Sequence, residues 1–169
     1  IDPAPIPNWG TRALHEQGYL IHRDVRLCLN HAVISPWMHQ RMSRGGYEEI
    51  EADLLASCIQ PGERILEVGG GLGFMAAFAC LQAPDVQAVV YEANPGLVAV
   101  AEHTKRLNNV DFDFRNAMLG AQQGTAEFHV HAAFWASSAS HESDDSTTID
   151  VPMHNVNQVL AEQDFTMLV

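Results

Sequence analysis

Short β-prone apolar runs alternate with longer runs of helical period through most of this chain. The first kind falls at 64–68, 86–91, 110–114 and 165–169, and the second at 74–81, 95–107 and 155–162. Strand, helix and strand in strict alternation predict βαβ units and a parallel sheet with helices on both faces. Ahead of them, 19–22 and 25–30 predict a β-hairpin turning at Arg23-Asp24, although that dipeptide lacks the usual glycine. Ser35 is placed as an N-cap and Pro36 as the first residue of a helix reaching about Ser43. Gly45-Gly46 breaks it, and a second helix is expected over 47–59, with Ile50, Leu54, Leu55 and Cys58 on one face, ending at Pro61-Gly62. Late in the chain, 128–133 and 147–151 predict antiparallel strands around a polar, acidic loop over 141–148. Residues 1–10 are proline-rich and read as extended. The organisation expected is an extension over 1–45, hairpin plus helix, packed on a doubly wound α/β domain over 46–169.

The first strand of that domain runs into Glu67-Val68-Gly69-Gly70-Gly71-Leu72-Gly73. Glycines at 69, 71 and 73 let a ligand approach the backbone, and the helix that follows turns its first N–H groups toward the same crevice. The spacing excludes two common ligands. A dinucleotide turn needs G-x-G-x-x-G, and its third glycine would fall at Phe74 or Ala76; a P-loop needs Lys-Ser/Thr, and none is present. A carboxylate at Glu67 repels phosphate and attracts an ammonium group. S-adenosyl-L-methionine, with an α-ammonium, a sulfonium and no phosphate, fits the turn better than NAD or ATP. Glu92, at the end of the second strand and about 20 residues past the glycines, is placed to accept from the ribose hydroxyls. Asn94-Pro95 starts the next helix, and Asn116-Ala117 ends the third strand, where the adenine edge is expected.

Composition narrows the picture further. A hydrophobic content of 47% over 169 residues supports a real core. A net charge of −12 leaves no basic face for nucleic acid. No apolar run approaches the ~20 residues of a membrane span. Cys28, Cys58 and Cys80 are odd in number without C-x-x-C spacing, and read as reduced thiols of a cytoplasmic protein.

Three segments together, Glu67 to Gly73, Tyr91-Glu92-Ala93-Asn94-Pro95 and Asn116-Ala117-Met118-Leu119-Gly120, resemble the successive motifs of class I S-adenosylmethionine-dependent methyltransferases. Gly46-Tyr47-Glu48, the strand from Gly124 to Phe128 and Trp135-Ala136-Ser137-Ser138 narrow the resemblance to the FkbM type. It covers residues 46 to 169. It implies a Rossmann-like fold, S-adenosyl-L-methionine as cofactor, and O-methylation of a hydroxyl on a sugar or polyketide-like small molecule. In such proteins the strand matching 165–169 runs on into an Asp-x-Glu-Gly-like motif. The chain begins at Ile1 and stops at Val169, so it reads as a piece truncated after its fourth core strand.

The cofactor contacts expected are Glu67, Gly69, Gly71, Gly73, Glu92, Asn94, Asn116, Ala117 and, more remotely, Glu48. Glu67 has the competing reading of a helix cap, and Tyr47 that of core packing. No catalytic residue is assigned; His39 is a substrate-side base only against the commoner reading of a half-exposed helical histidine. His129 and His131 share a strand face without a third ligand at usable spacing, so no metal site is expected. Trp37 and Trp135 read as core or partner surface before pocket lining. Two other classes remain open: a nicotinamide-dependent oxidoreductase, which the glycine spacing disfavours, and a methyltransferase-like binding module without catalysis.

Overall fold

The computed structural model describes residues 12–14, 19–28, 31–131, 134, 137–139 and 146–169. The expectations placed on 1–10, Trp135 and most of the acidic loop lie outside these. In chain order the elements are β1 (Arg12–Leu14), β2 (Tyr19–His22), β3 (Val25–Cys28), α1 (Pro36–Ser43), α2 (Glu49–Cys58), β4 (Arg64–Val68), α3 (Phe74–Gln82), β5 (Gln87–Tyr91), a 3-10 turn (Pro95–Leu97), α4 (Val98–Asn108), β6 (Asp113–Arg115), β7 (Met118–Gly120), β8 (Gly124–His131), β9 (Ser146–Asn155), α5 (Val156–Glu162) and β10 (Met167–Leu168).

The central sheet has the order β10-β4-β5-β6 and is parallel throughout. Strand order reverses beside β4, since β5 and β6 lie to one side of it and β10 to the other. In such sheets the ligand crevice opens outside the carboxyl ends of the strands near the reversal. The expected doubly wound, mostly parallel α/β architecture is therefore present. A second sheet, β7-β9-β8, pairs β8 antiparallel to β9 over eight residues. A third, β1-β2-β3, is the predicted hairpin with one strand added.

Burial explains why α3 is apolar all round. Phe74, Met75, Ala76, Ala77, Phe78 and Ala79 are all buried, packed with hairpin residues Leu20 and Leu27 and with Val100 of α4. Where it is clothed on every side, from Phe74 to Ala79, the helix has no polar face to keep. The hairpin turn forms without glycine, with Arg23 and Asp24 both at positive φ (48° and 68°). Arg23 is buried there and pairs with Asp53 of α2 at 2.7 Å, a contact that lowers the Asp53 pKa.

Several local expectations need correction. The second helix starts at Glu49, because Glu48 adopts a left-handed conformation (φ 46°, ψ 36°). Its inward face carries Ala52 and Leu55, whereas Ile50, Leu54 and Cys58 are exposed. Helical period alone does not say which stripe faces in when both stripes hold apolar residues. The third core strand is Asp113–Arg115 rather than 110–114, since the N–H of Val110 is held at the end of α4 by the Lys105 carbonyl (3.2 Å). The helix expected over 95–107 opens as a 3-10 turn before α4. Strand β7 was not anticipated. No helix among the described residues is long and apolar enough to cross a membrane.

Candidate functional site

The turn after β4 is built by backbone conformations that side chains resist. Gly69, Gly71 and Gly73 have φ of 90°, 52° and 71°. Such values strain any residue with a Cβ. Gly73 closes the turn by donating its N–H to the Gly70 carbonyl (2.7 Å). Gly70 has ordinary φ, yet a Cβ there would overlap the Val90 side chain. The turn thus lies directly on β5.

Glu92, one residue past β5, ties that turn to the next loop. One carboxylate oxygen accepts the Gly71 N–H at 2.9 Å and the other the Asn94 N–H at 2.7 Å. Asn94 caps the 3-10 turn by accepting the Gly96 N–H (3.0 Å). Asn116 donates its amide to the carbonyls of Glu92 (2.9 Å) and Ala93 (3.1 Å). Both asparagines therefore hold the strand ends in place.

These ends border a cleft of about 370 Å³. Of the predicted residues, Glu48, Gly69, Gly71, Glu92 and Ala117 line it. Glu67, Gly73, Asn94 and Asn116 do not line it. The remaining wall includes Tyr47, Met118, Leu119, Phe128, Phe134 and Ser137. Phe128 and Phe134 are buried, and Phe134 had no signal in its local sequence. Tyr47, read as core packing, is buried, and its hydroxyl bonds the Glu48 carboxyl. It also presses on the turn, where a Cβ on Gly71 would sit 3.1 Å from that oxygen.

Three carboxyl groups converge here. Burial raises Glu67 well above the usual carboxylate range, Glu48 and Glu92 add to the shift, and a bond from the Ala76 N–H opposes it. Ala76 lies in the first turn of α3, so Glu67 does cap that helix. Its Oε2, however, is buried without a hydrogen-bond partner. Burial also raises Glu92, against the backbone N–H groups of Asn94, Gly71 and Ala93. Glu48 is pushed up to about 7 by burial, against its bond with Tyr47. Acidic groups buried beside one another favour a cation among them.

Glu48 and Tyr47 also border a second cleft, walled by Trp37, Met38, Arg41 and Ile50. Trp37 is half exposed, with the Arg41 guanidinium over its ring. His39 lines neither of these clefts, and its carbonyl accepts from Ser43 Oγ at 2.7 Å. His129 bonds Thr148 Oγ1 through Nδ1 (3.0 Å).

Comparison with known proteins places the chain. No curated protein matches it. Among solved structures, a candidate transferase of Pyrococcus horikoshii shares 14% identity at a TM-score of 0.44, covering 59% of this chain and 36% of its own. The Pyrococcus abyssi tRNA (uracil-54, C5)-methyltransferase, in complex with S-adenosyl-L-homocysteine, shares 19% at 0.35, covering 43% and 18%. YjhP of Escherichia coli shares 18% at 0.35, covering 44% and 34%. The chain thus spans about a third or less of the length of these structures. Residues 47–131, half of the chain and most of the cleft wall, match the model of the methyltransferase small domain, and the chain belongs to that family.

Proposed function

We propose that the chain binds S-adenosyl-L-methionine in the cleft at the ends of β4 and β5, and serves O-methyl transfer to a hydroxyl of a sugar or polyketide-like small molecule. Membership of a methyltransferase family supports the cofactor. The FkbM-like motifs of the sequence support the acceptor class. The observation that carries the reading is the pair Glu48 and Glu92 on the cleft wall with the glycine turn, backed by the buried Glu67 carboxyl, whose Oε2 has no hydrogen-bond partner. Burying carboxyl groups together is costly, and a cation bound in the cleft lowers that cost through its field. The residues therefore fit a cationic nucleoside.

When bound, S-adenosyl-L-methionine supplies a methyl group on a sulfonium. The chain's own groups do the rest. The Glu92 carboxylate keeps lone-pair capacity beyond its backbone bonds and accepts from the ribose hydroxyls. The apolar wall with Phe128 and Phe134 excludes water from the transfer. A hydroxyl acceptor needs a base, and the group placed for that is Glu48, where the two clefts join. Its left-handed backbone is the kind of strain that functional sites retain. Glu48 then takes the acceptor's proton instead of making the cofactor contact expected of it. The setting proposed is cytoplasmic, in keeping with three free thiols.

The test is release of S-adenosylhomocysteine in the presence of hydroxylated sugars and polyketides. The rate should rise with pH through about 7, the Glu48 value, and then level off. Glu48→Gln should lower kcat by roughly 10²–10⁴-fold and remove that rise, with a much smaller effect on cofactor affinity. Cofactor binding without turnover on any hydroxyl acceptor would instead mark a binding module.

A further inference from the structure

Away from the cleft, three residues of the hairpin side and α4 bring their donor atoms together. Cys28 ends β3, His31 opens the turn that follows, and His103 lies in α4. One ligand atom from each lies within 4.8 Å of the others. His31 Nε2 and His103 Nδ1 are 3.3 Å apart, with their rings edge to face. A tetrahedral zinc ion with Zn–N arms of about 2.0–2.1 Å sets two imidazole nitrogens about 3.3–3.4 Å apart. The observed spacing equals that edge.

We propose that Cys28, His31 and His103 bind a divalent transition-metal ion, zinc by preference, with water as the fourth ligand. Mixed sulfur and imidazole donors in tetrahedral array favour zinc over the oxygen-seeking cations. Cys28 is buried and forms the floor, while His31 and His103 are half-buried and leave a side open for ion and water. Without metal, the two imidazoles share one proton across the gap. With metal, each carries its proton on the other nitrogen and turns a lone pair inward. Cys28 loses its thiol proton to solvent, since only the thiolate ligates.

The backbone already holds all three in place. The Ile34 N–H closes the His31 turn onto the His31 carbonyl (3.0 Å). Further along α4, Asn108 clips β3 by accepting the Arg26 N–H (2.7 Å) and donating to the Arg26 carbonyl (2.8 Å). A metal at His103 makes a second clasp between the hairpin and the core. The sequence carried half of this signal, as Cys28-x-x-His31. The third ligand, 72 residues on, becomes visible only when α4 packs on β3.

Titration of the metal-free chain with Zn²⁺ against a chromophoric chelator tests the site, with Co²⁺ as spectroscopic probe. One equivalent per chain, a thiolate-to-cobalt charge-transfer band and tetrahedral ligand-field bands are expected. Cys28→Ser should abolish the charge-transfer band, and Cys28→Ser and His103→Gln should each weaken Zn²⁺ more than roughly 100-fold, beyond the loss from an outer-shell partner. Cys58→Ser should change nothing. Should Cys28→Ser not fold, His31→Gln and His103→Gln decide the matter. Failure of the folded chain to take up one equivalent, or uptake indifferent to the ligand substitutions, overturns the proposal.

Discussion

Replacing Glu67 by glutamine is expected to stabilise the unliganded protein at pH 8 and to weaken its cofactor binding. The carboxyl is 4% exposed, and its Oε2 has no partner. Its folded-state pKa is raised well above that of the unfolded chain, so the folded state holds the proton more tightly. Stability then falls as pH rises from about 4.5, the unfolded value, toward the folded one. Glu48, titrating near 7, and Glu92 act in the same direction. The wild-type protein should therefore melt at a higher temperature near pH 5 than at pH 8. Glutamine cannot ionise and removes one group's share of that decline. The gain at pH 8 should be about 1–3 kcal/mol, the scale of relieving a buried unpaired charge. That corresponds to a Tm rise of roughly 2–10 °C for a chain of this length. Affinity for S-adenosylhomocysteine should drop up to roughly tenfold, because a cation in the cleft loses the field of a nearby acidic group. Thermal melts across pH and a ligand titration read both effects. A Glu67→Gln protein less stable than wild type at pH 8 would show Glu67 to be a cap and nothing further.

The substitution Glu92→Ala should act with the opposite sign on stability. Both its oxygens already hold backbone N–H groups, at 2.9 and 2.7 Å. Removing them leaves the Gly71 and Asn94 donors unpaired inside the protein, at about 1–3 kcal/mol each. Relief of the buried charge offsets part of this, for a net loss of about 2–4 kcal/mol. Cofactor binding should weaken by a further ~1–3 kcal/mol through the lost ribose acceptor. Two carboxylates at the ends of adjacent parallel strands thus differ in kind. Glu92 is satisfied by the fold and supports it, whereas Glu67 caps α3 and keeps one oxygen without a partner. Equal stability effects from the two substitutions would contradict that distinction.

What the sequence made legible was the local chemistry of the core. The alternation of β-runs with helical runs placed β4, α3, β5 and α5 nearly to the residue, because a glycine, proline or asparagine stands at or just before the start of each. Ser35, Asn94 and Asn155 cap as side-chain acceptors. Asn155 was read as the first residue of α5 and proves to be its cap. The glycines at 69, 71 and 73 announced their positive φ by being glycine. The conformation of Glu48 was not legible, since a non-glycine residue in the left-handed region carries no sequence mark. Nor was the inward face of α2, where Ala52 and Leu55 compete with Ile50 and Leu54. The sequence offers Asn94 as a helix cap as well as a ligand contact, and Asn116 as an adenine contact or an ordinary turn residue. In the structure they bond to backbone, the commoner use of asparagine at such positions. Phe134 reaches the cleft only through tertiary packing, and no periodicity points to it.

The whole account depends on what the cleft beside the glycine turn holds. The most direct measurement is calorimetric titration of the folded chain with S-adenosylhomocysteine, with NAD titrated under the same conditions. A single site for S-adenosylhomocysteine, weakened in Glu92→Ala, and no heat from NAD is the result predicted. A folded chain that gives no heat with S-adenosylhomocysteine, or that binds NAD as well or better, would contradict it.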